Sequence, residues 1–176
     1  MRALKVFFIL IFSFSFFSCS LDEELKEKEI NWSKDQSSEM NKNFALEEEL
    51  DIKMYLANRI SWKTTKTGSG LRYFIYKNGI GEKAVSGLFA EVKYKINLLD
   101  GTLCYETKVD EKETFEIDKS DIESGVQEGI KKMRIGDKAK LIVPSHLAHG
   151  LLGDNDKIPP LTVLVIDIEL VGLISK

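Results

Sequence analysis

The second half of this chain is a series of β-prone runs, and that pattern constrains the fold more than any other feature. Five runs rich in β-branched and aromatic residues predict strands at 71–76, 91–98, 113–117, 138–143 and 161–170. In the second run, Val92, Tyr94 and Ile96 alternate with polar residues, which predicts a strand with one face in water. Pro159 and Pro160 stand just before the last run, where a strand can begin.

Only one helical stretch interrupts these runs, at residues 120–133. Ile122, Val126, Ile130 and Met133 follow one another at spacings of four, four and three, so they form a single apolar stripe that faces the sheet. The predicted fold class is therefore α+β, with an antiparallel sheet of five to six strands half-wrapped around one short helix.

The N-terminus indicates export and a lipid anchor. Residues 1–18 have a positive start followed by a short, almost uncharged apolar run, which predicts a signal peptide. Cys19 follows at once and resembles the cysteine of a bacterial lipobox, whose thiol is acylated and becomes the mature N-terminus. Cys104 is the only other cysteine, so a lipidated Cys19 excludes an intramolecular disulfide.

Between this anchor and the strands lie two further segments. Residues 19–43 are polar and charged and predict a flexible tether, and residues 44–60 predict a helical extension. The extension can pack on the following domain, pair with another chain or serve as a stalk, and the sequence leaves these three alternatives open.

The charge balance argues against nucleic acid as a partner. Without residues 1–18, the chain carries 23 Lys and Arg against 28 Asp and Glu, a net charge of −5. Binding to nucleic acid draws most of its affinity from neutralised phosphates, and no basic stripe is present to supply it.

Residues 66–176 resemble the FKBP-type peptidyl-prolyl isomerase domain. The resemblance depends on Tyr94, on SGVQEGIKKMRIGDKAKLIVP at 124–144, on LAHG at 147–150, and on IPP followed by the last strand at 158–170. It implies an enzyme that rotates X-Pro peptide bonds in polypeptide substrates and uses no cofactor or metal, because no covalent bond forms or breaks. The layout of anchor, tether, helix and domain is similar to that of Bacteroidetes FKBP-type lipoproteins associated with gliding motility.

The resemblance also implies a substrate cup. Tyr94 matches the family's pocket tyrosine, Ile122 the apolar residue at the start of the helix, and Ile158 the isoleucine before the double proline, expected over the mouth of the cup. Phe115 matches a phenylalanine that is expected in the core.

Other positions depart from the family. Val126 replaces the floor tryptophan, His149 replaces a tyrosine that holds the substrate backbone, and Ile166 replaces a phenylalanine. In the loop at 100–107, the family has a pocket phenylalanine followed by an aspartate. An ungapped match places Cys104 at the phenylalanine and Tyr105 at the aspartate, whereas a shift by one residue places Tyr105 at the phenylalanine and Glu106 at the aspartate. The shifted reading keeps the order of aromatic and then acid, so we expect Tyr105 in the site.

Two functions from different classes follow. One is a lipid-anchored isomerase that assists folding or assembly of exported envelope proteins, facing the periplasm at the outer membrane or lying on the cell surface. The other is a catalytically weak binding module in a motility or secretion apparatus, which the substitutions at Val126 and His149 favour. His146 and His149 lie three residues apart without other ligands nearby, which does not predict a metal site.

Overall fold

The structure, a computed structural model, describes residues 33–175. Residues 33–37 belong to one compact unit of the chain and residues 38–175 to a second. The first unit contains the start of helix α1 (Lys34–Ala57). Ser33 Oγ accepts the N–H of Gln36 at 3.2 Å, while Gln36 Oε1 accepts the N–H of Ser33 at 3.0 Å. This reciprocal capping box fixes the beginning of the helix.

The second unit is built on an antiparallel sheet. Its strands are β1 (Thr65–Lys66), β2 (Arg72–Lys77), β3 (Phe89–Leu98), β4 (Leu103–Glu106), β5 (Glu113–Glu116), β6 (Lys138–Val143) and β7 (Leu164–Ile174). The strand order is β1-β2-β6-β7-β3-β4, and β5 pairs with the other end of β3 on the same edge as β4. The β3–β7 ladder is the longest, joining Phe89 to Ile174 and Leu98 to Leu164.

Helix α2 (Ser124–Ile130) packs against one face of the sheet. Gly125 and Gly129 allow the close approach: a Cβ on Gly125 would lie 2.4 Å from Cγ1 of Val143, and one on Gly129 would lie 2.5 Å from Cδ1 of Leu141. Real side chains do not approach so closely, so both positions require glycine if the helix is to stay where it is. The main core fills the space between α2 and this face.

Helix α1 covers part of the opposite face. Successive residues of a strand point to opposite sides, and Ile142 accordingly leaves the main core and packs with Ile52 of α1 and with Val163. After α1, Trp62 lies between Tyr55 and Phe74, with ring centroids 6.0 and 6.5 Å away. The helical extension therefore packs on the domain, which is one of the three alternatives left open by the sequence.

The α+β fold with an antiparallel sheet and a short helix is confirmed, with three differences in detail. Helix α1 begins at Lys34 rather than near residue 44, so residues 34–43 are helical although the sequence predicted a tether there. Helix α2 is shorter than the predicted 120–133 stretch: it begins only at Ser124, and Ser120 lies in the preceding turn, where its Oγ accepts the N–H of Glu116 at 2.8 Å. Strands β1 and β4 were not predicted, since neither has a long β-branched run.

The N-terminal predictions concern residues that lie mostly outside the described ones. The signal peptide at 1–18, the lipidated Cys19 and the tether up to residue 32 belong to this group. Within residues 33–175, no helix is both long and apolar enough to cross a bilayer.

Candidate functional site

A cavity of about 270 Å³ opens between α2 and the sheet, over the β3–β7 ladder. Thirteen side chains line it. The apolar ones are Val92, Ile96, Phe115, Ile122, Val126, Ile166 and Ile168, and the others are Tyr94, Tyr105, Glu113, Glu123, His149 and Asp154. The cavity is thus an apolar cup with a polar rim, which is the usual form of a binding site.

Strand periodicity and register create the apolar floor. Val92, Tyr94 and Ile96 are alternate residues of β3, so they point to the same face. In the ladder, Tyr94 lies opposite Ile168 and Ile96 opposite Ile166, which adds the matching alternate residues of β7. Val126, in the first turn of α2, closes the floor from the helix side.

Three polar side chains of the rim each contact a carboxylate. The hydroxyl of Tyr94 donates to Glu113 Oε1 at 2.6 Å, and the hydroxyl of Tyr105 donates to Asp154 Oδ2 at 2.5 Å. Burial, together with the hydrogen bond to Glu113, raises the pKa of Tyr94 far above its usual value. The hydrogen bond to Asp154 does the same to the pKa of Tyr105. Both hydroxyls are therefore neutral donors at every physiological pH.

The third rim contact is between His149 and Glu123, whose Nε2 and Oε1 atoms lie 3.0 Å apart. A neutral imidazole can donate one hydrogen bond here, and protonation turns the contact into an ion pair. His149 comes from the loop after β6, and Glu123 immediately precedes α2. The contact therefore closes one side of the cup between two different elements.

Asp154 organises the loop between β6 and β7. Its Oδ1 accepts the N–H of Asp156 at 2.9 Å and that of Ile158 at 2.7 Å, while Oδ2 receives Tyr105. Burial opposes its ionisation, but these hydrogen bonds prevail and hold the pKa of Asp154 well below its usual value. The carboxylate thus joins the loop ahead of Pro159 to strand β4 at the cavity's edge.

Six of the seven residues predicted to bind substrate line this one cavity: Tyr94, Tyr105, Ile122, Val126, His149 and Ile166. Their role in binding remains a prediction. The seventh, Ile158, is not among the lining residues. Its side chain is 3% exposed and packs in the main core, so the expectation that it lies over the mouth of the cup is wrong. Asp154 accepts the backbone N–H of Ile158 at 2.7 Å and so helps to fix this part of the loop.

The structure also resolves the open register at residues 104–106. Tyr105 pairs with Ile96 across β3 and β4 and faces the cavity, whereas Cys104 is buried and its Sγ lies 3.7 Å from the carbonyl oxygen of Lys157. Glu106 points elsewhere and forms an ion pair with Lys95 at 3.5 Å. Tyr105 therefore supplies the aromatic side chain, and the acids of the site come from Glu113, Glu123 and Asp154 instead.

Those three carboxylates, together with Val92, Ile96 and Ile168, were not predicted as site residues, although strand alternation had placed Val92 and Ile96 on the same face as Tyr94. Phe115 was assigned to the core; it is 7% exposed within the core cluster and also lines the cavity. Asp154 had a usable signal, because an Asp two to four residues before a loop's N–H groups commonly accepts hydrogen bonds from them. His146 lies away from the cup, with Nε2 2.9 Å from the carbonyl oxygen of Ser69.

Comparisons with known proteins agree with this geometry. The family model described as FKBP-type peptidyl-prolyl cis-trans isomerase matches residues 81–171, which is more than half of the chain and contains every residue of the cavity. The chain is 35% identical over 130 residues to FKBP-type peptidyl-prolyl cis-trans isomerase FkpA of Aeromonas hydrophila. That match covers 73% of this chain but only 48% of the Aeromonas protein, so the chain spans less than half of that relative's length.

Solved structures show the same likeness. FkpA from Escherichia coli superposes with a TM-score of 0.64 at 31% identity, covering 78% of this chain and 64% of that one. AtFKBP13 superposes with a TM-score of 0.58 at 30% identity, covering 62% of this chain and 98% of that one. The motifs, the sheet with its short helix, and the family match over the cavity lead to one conclusion: this chain belongs to the FKBP-type peptidyl-prolyl cis-trans isomerase family.

Proposed function

We propose that the cavity over β3 and β7 binds a prolyl residue and accelerates rotation of the peptide bond that precedes it. The observation that carries this proposal is the convergence of six predicted site residues on one apolar cup within the family match. An X-Pro bond rotates over a barrier of roughly 18–20 kcal/mol, because the planar amide is stabilised by resonance. The enzyme must therefore bind the twisted amide better than either planar form.

The cup supports this in two ways. Its floor of Ile166, Ile168 and Val126 excludes water, which otherwise stabilises the more polar planar amide. At the rim, the hydroxyls of Tyr94 and Tyr105 are neutral donors already oriented by carboxylates. A donor that exchanges its carboxylate for the prolyl nitrogen, whose lone pair is freed as the amide twists, stabilises the twisted form.

The test is the cis-to-trans relaxation of an Ala-Xaa-Pro-Phe peptide with the purified chain. We expect acceleration by the unchanged chain and a loss of about tenfold or more in Tyr94→Phe. Tyr76→Phe is the matched control, because Tyr76 also donates to a carboxylate, Asp167 at 2.7 Å, but does not line the cavity. Equal rates for Tyr94→Phe and Tyr76→Phe would remove Tyr94 from the mechanism, and no acceleration by the unchanged chain would refute the activity.

A second function, a binding module with weak catalysis, is favoured by one feature of the rim. Both tyrosine hydroxyls and His149 already have carboxylate partners, so a substrate carbonyl has to compete for each donor. In addition, Val126 and Ile166 offer less surface for stacking on a proline ring than aromatic residues would. Tight peptide binding without acceleration, both in the unchanged chain and in Val126→Trp, would establish this alternative.

We further propose that Cys19 carries lipid and that the protein acts in the cell envelope on exported proteins. The support is the signal-like segment at 1–18 followed directly by Cys19. A gliding-motility or secretion apparatus is the setting that the resemblance to Bacteroidetes lipoproteins suggests. Palmitate labelling tests the anchor: label is expected in the unchanged chain and absent from Cys19→Ser, and a label that persists in Cys19→Ser would contradict it.

A further inference from the structure

Glu48 of helix α1 is a buried carboxylate that lies outside the cavity. It is 8% exposed, its Oε2 accepts the N–H of Ser145 at 3.0 Å, and its Oε1 accepts the hydroxyl of the same residue. Within the part of the chain that the structure describes, Ser145 is its only hydrogen-bond partner. A buried carboxylate is costly unless its oxygens are satisfied, so these two bonds hold Ser145 firmly against α1.

Ser145 begins a short 3-10 turn, Ser145–Leu147, in the loop after β6. The residue before it, Pro144, makes no side-chain cap, and the carboxylate of Glu48 accepts the N–H of Ser145, one of the donors that the start of a helical turn leaves without a partner in the turn. The carbonyl oxygen of Ser145 then accepts the N–H groups of Ala148 at 2.9 Å and Gly150 at 2.8 Å. Ser145 therefore fixes the backbone on both sides of His149.

This turn contacts the cup at two points. His149 reaches Glu123 at 3.0 Å, and the carbonyl oxygen of Leu147 accepts the hydroxyl of Ser124 at 3.3 Å. Glu123 and Ser124 form the start of α2, which supplies Val126 to the floor. A shift of the turn would therefore displace the rim and would disturb the beginning of the helix under the cup.

We propose that Glu48 is a positioning residue for the proline site: acting through Ser145, it sets the place of His149 in the rim. The inference rests on the proposed function and gives the helical extension a part in it. A site that loses about 1 Å of its alignment can lose on the order of a hundredfold in rate. Helix α1 thus acts on the cup through the contact between Glu48 and Ser145.

Three variants test this. Glu48→Ala removes both bonds to Ser145 and is expected to lower kcat/KM for the prolyl peptide by about fivefold or more. Glu49→Ala is the matched control, because the carboxylate of Glu49 also anchors α1, through Arg72 at 2.7 Å, but does not touch the turn. We expect its kcat/KM to stay within about twofold of that of the unchanged chain. Glu48→Gln keeps an acceptor for the N–H and a donor for the hydroxyl, so it should restore most of the rate.

Amide hydrogen exchange separates this inference from the proposed function. The amides of Ala148 and Gly150 are expected to exchange faster in Glu48→Ala than in the unchanged chain. In Glu49→Ala and in Glu48→Gln, their exchange rates should stay close to those of the unchanged chain. Three results would each overturn the role of Glu48. They are equal losses of kcat/KM in the two Ala variants, unchanged amide exchange in Glu48→Ala, and faster amide exchange without any loss of kcat/KM. If the unchanged chain fails to isomerise any peptide, the proposed function is refuted; the exchange data then still decide whether Glu48 holds the turn.

Discussion

We predict that the ion pair between Glu49 and Arg72 makes the docking of α1 dependent on pH. One nitrogen of Arg72, Nη2, lies 2.7 Å from both carboxylate oxygens of Glu49, and Lys66 Nζ lies 3.0 Å from Oε2 of the same carboxylate. The hydrogen bond from Arg72, aided by Lys66 and opposed by burial, lowers the pKa of Glu49 from 4.5 to about 2. Because the folded value lies below the unfolded one, the stabilisation is complete above about pH 4.5 and is lost as the pH falls toward 2.

Its size follows from that difference. Each pKa unit corresponds to about 1.4 kcal/mol, so the full difference would give roughly 3 kcal/mol. The side chain of Glu49 is 27% exposed, and solvent screening reduces this. We therefore expect Glu49→Gln to lower the free energy of unfolding by about 1–2 kcal/mol at pH 7, with the difference shrinking between pH 5 and pH 2.

Urea unfolding followed by tryptophan fluorescence measures this difference, since Trp62 lies against Tyr55 and Phe74 where α1 ends. Glu111→Gln provides the control: its pair with Lys108, at 3.0 Å, is exposed on both sides and should contribute less than about 0.5 kcal/mol. A Glu49→Gln variant as stable as the unchanged chain at pH 7, or a difference in stability that does not change with pH, would show that this ion pair does not stabilise the fold.

Three further predictions follow from packing and charge. Gly129→Ala should lower the free energy of unfolding by about 1–3 kcal/mol in urea titrations, because its Cβ would meet the buried Leu141; unchanged stability would mean that α2 can move. Burial raises the pKa of the Cys104 thiol, and the side chain is 3% exposed. In a Cys19→Ser background, a thiol reagent should therefore modify Cys104 about a hundredfold faster in urea than in the native state. Similar rates of modification in the two states would contradict this burial. Because the carboxylates of Glu113 and Asp154 lie at the rim, a peptide with Lys before Pro should show about three- to tenfold higher kcat/KM than a peptide with Glu there. Added salt should reduce this ratio. Equal values of kcat/KM for the two peptides would exclude an electrostatic contribution from the rim.

Much of the cup could be predicted because strand alternation is strict. Once Val92 was placed on the inner face, Tyr94 and Ile96 had to follow on the same face, and the apolar stripe of the helix had to meet them. The family's spacings then placed residues of distant segments, such as His149 and Ile166, in the same site. Local periodicity and motif spacing were sufficient for these positions.

The rest depended on contacts between residues far apart in the sequence. Asp154 stands four residues before Ile158, and this spacing was a usable signal for the hydrogen bond to its N–H, but nothing in the local sequence indicates that Asp154 also receives Tyr105 from another strand. The other two rim carboxylates, Glu113 and Glu123, have no distinctive local pattern, since acidic residues are common throughout this chain. The start of α1 was different: Ser33 and Gln36 have the spacing of a capping box, and this local signal was overlooked.

Isomerisation of prolyl bonds at the cup and binding of the peptide there can be followed in a single experiment. Exchange NMR of an Ala-Ala-Pro-Phe peptide, recorded with the isotope-labelled chain, reports the cis–trans rate and the binding surface in the same sample. We predict faster exchange than in peptide alone, with amide shifts concentrated around Tyr94, Val126 and His149, three of the residues that line the cavity. Exchange at the uncatalysed rate, or shifts centred on another surface, would contradict it.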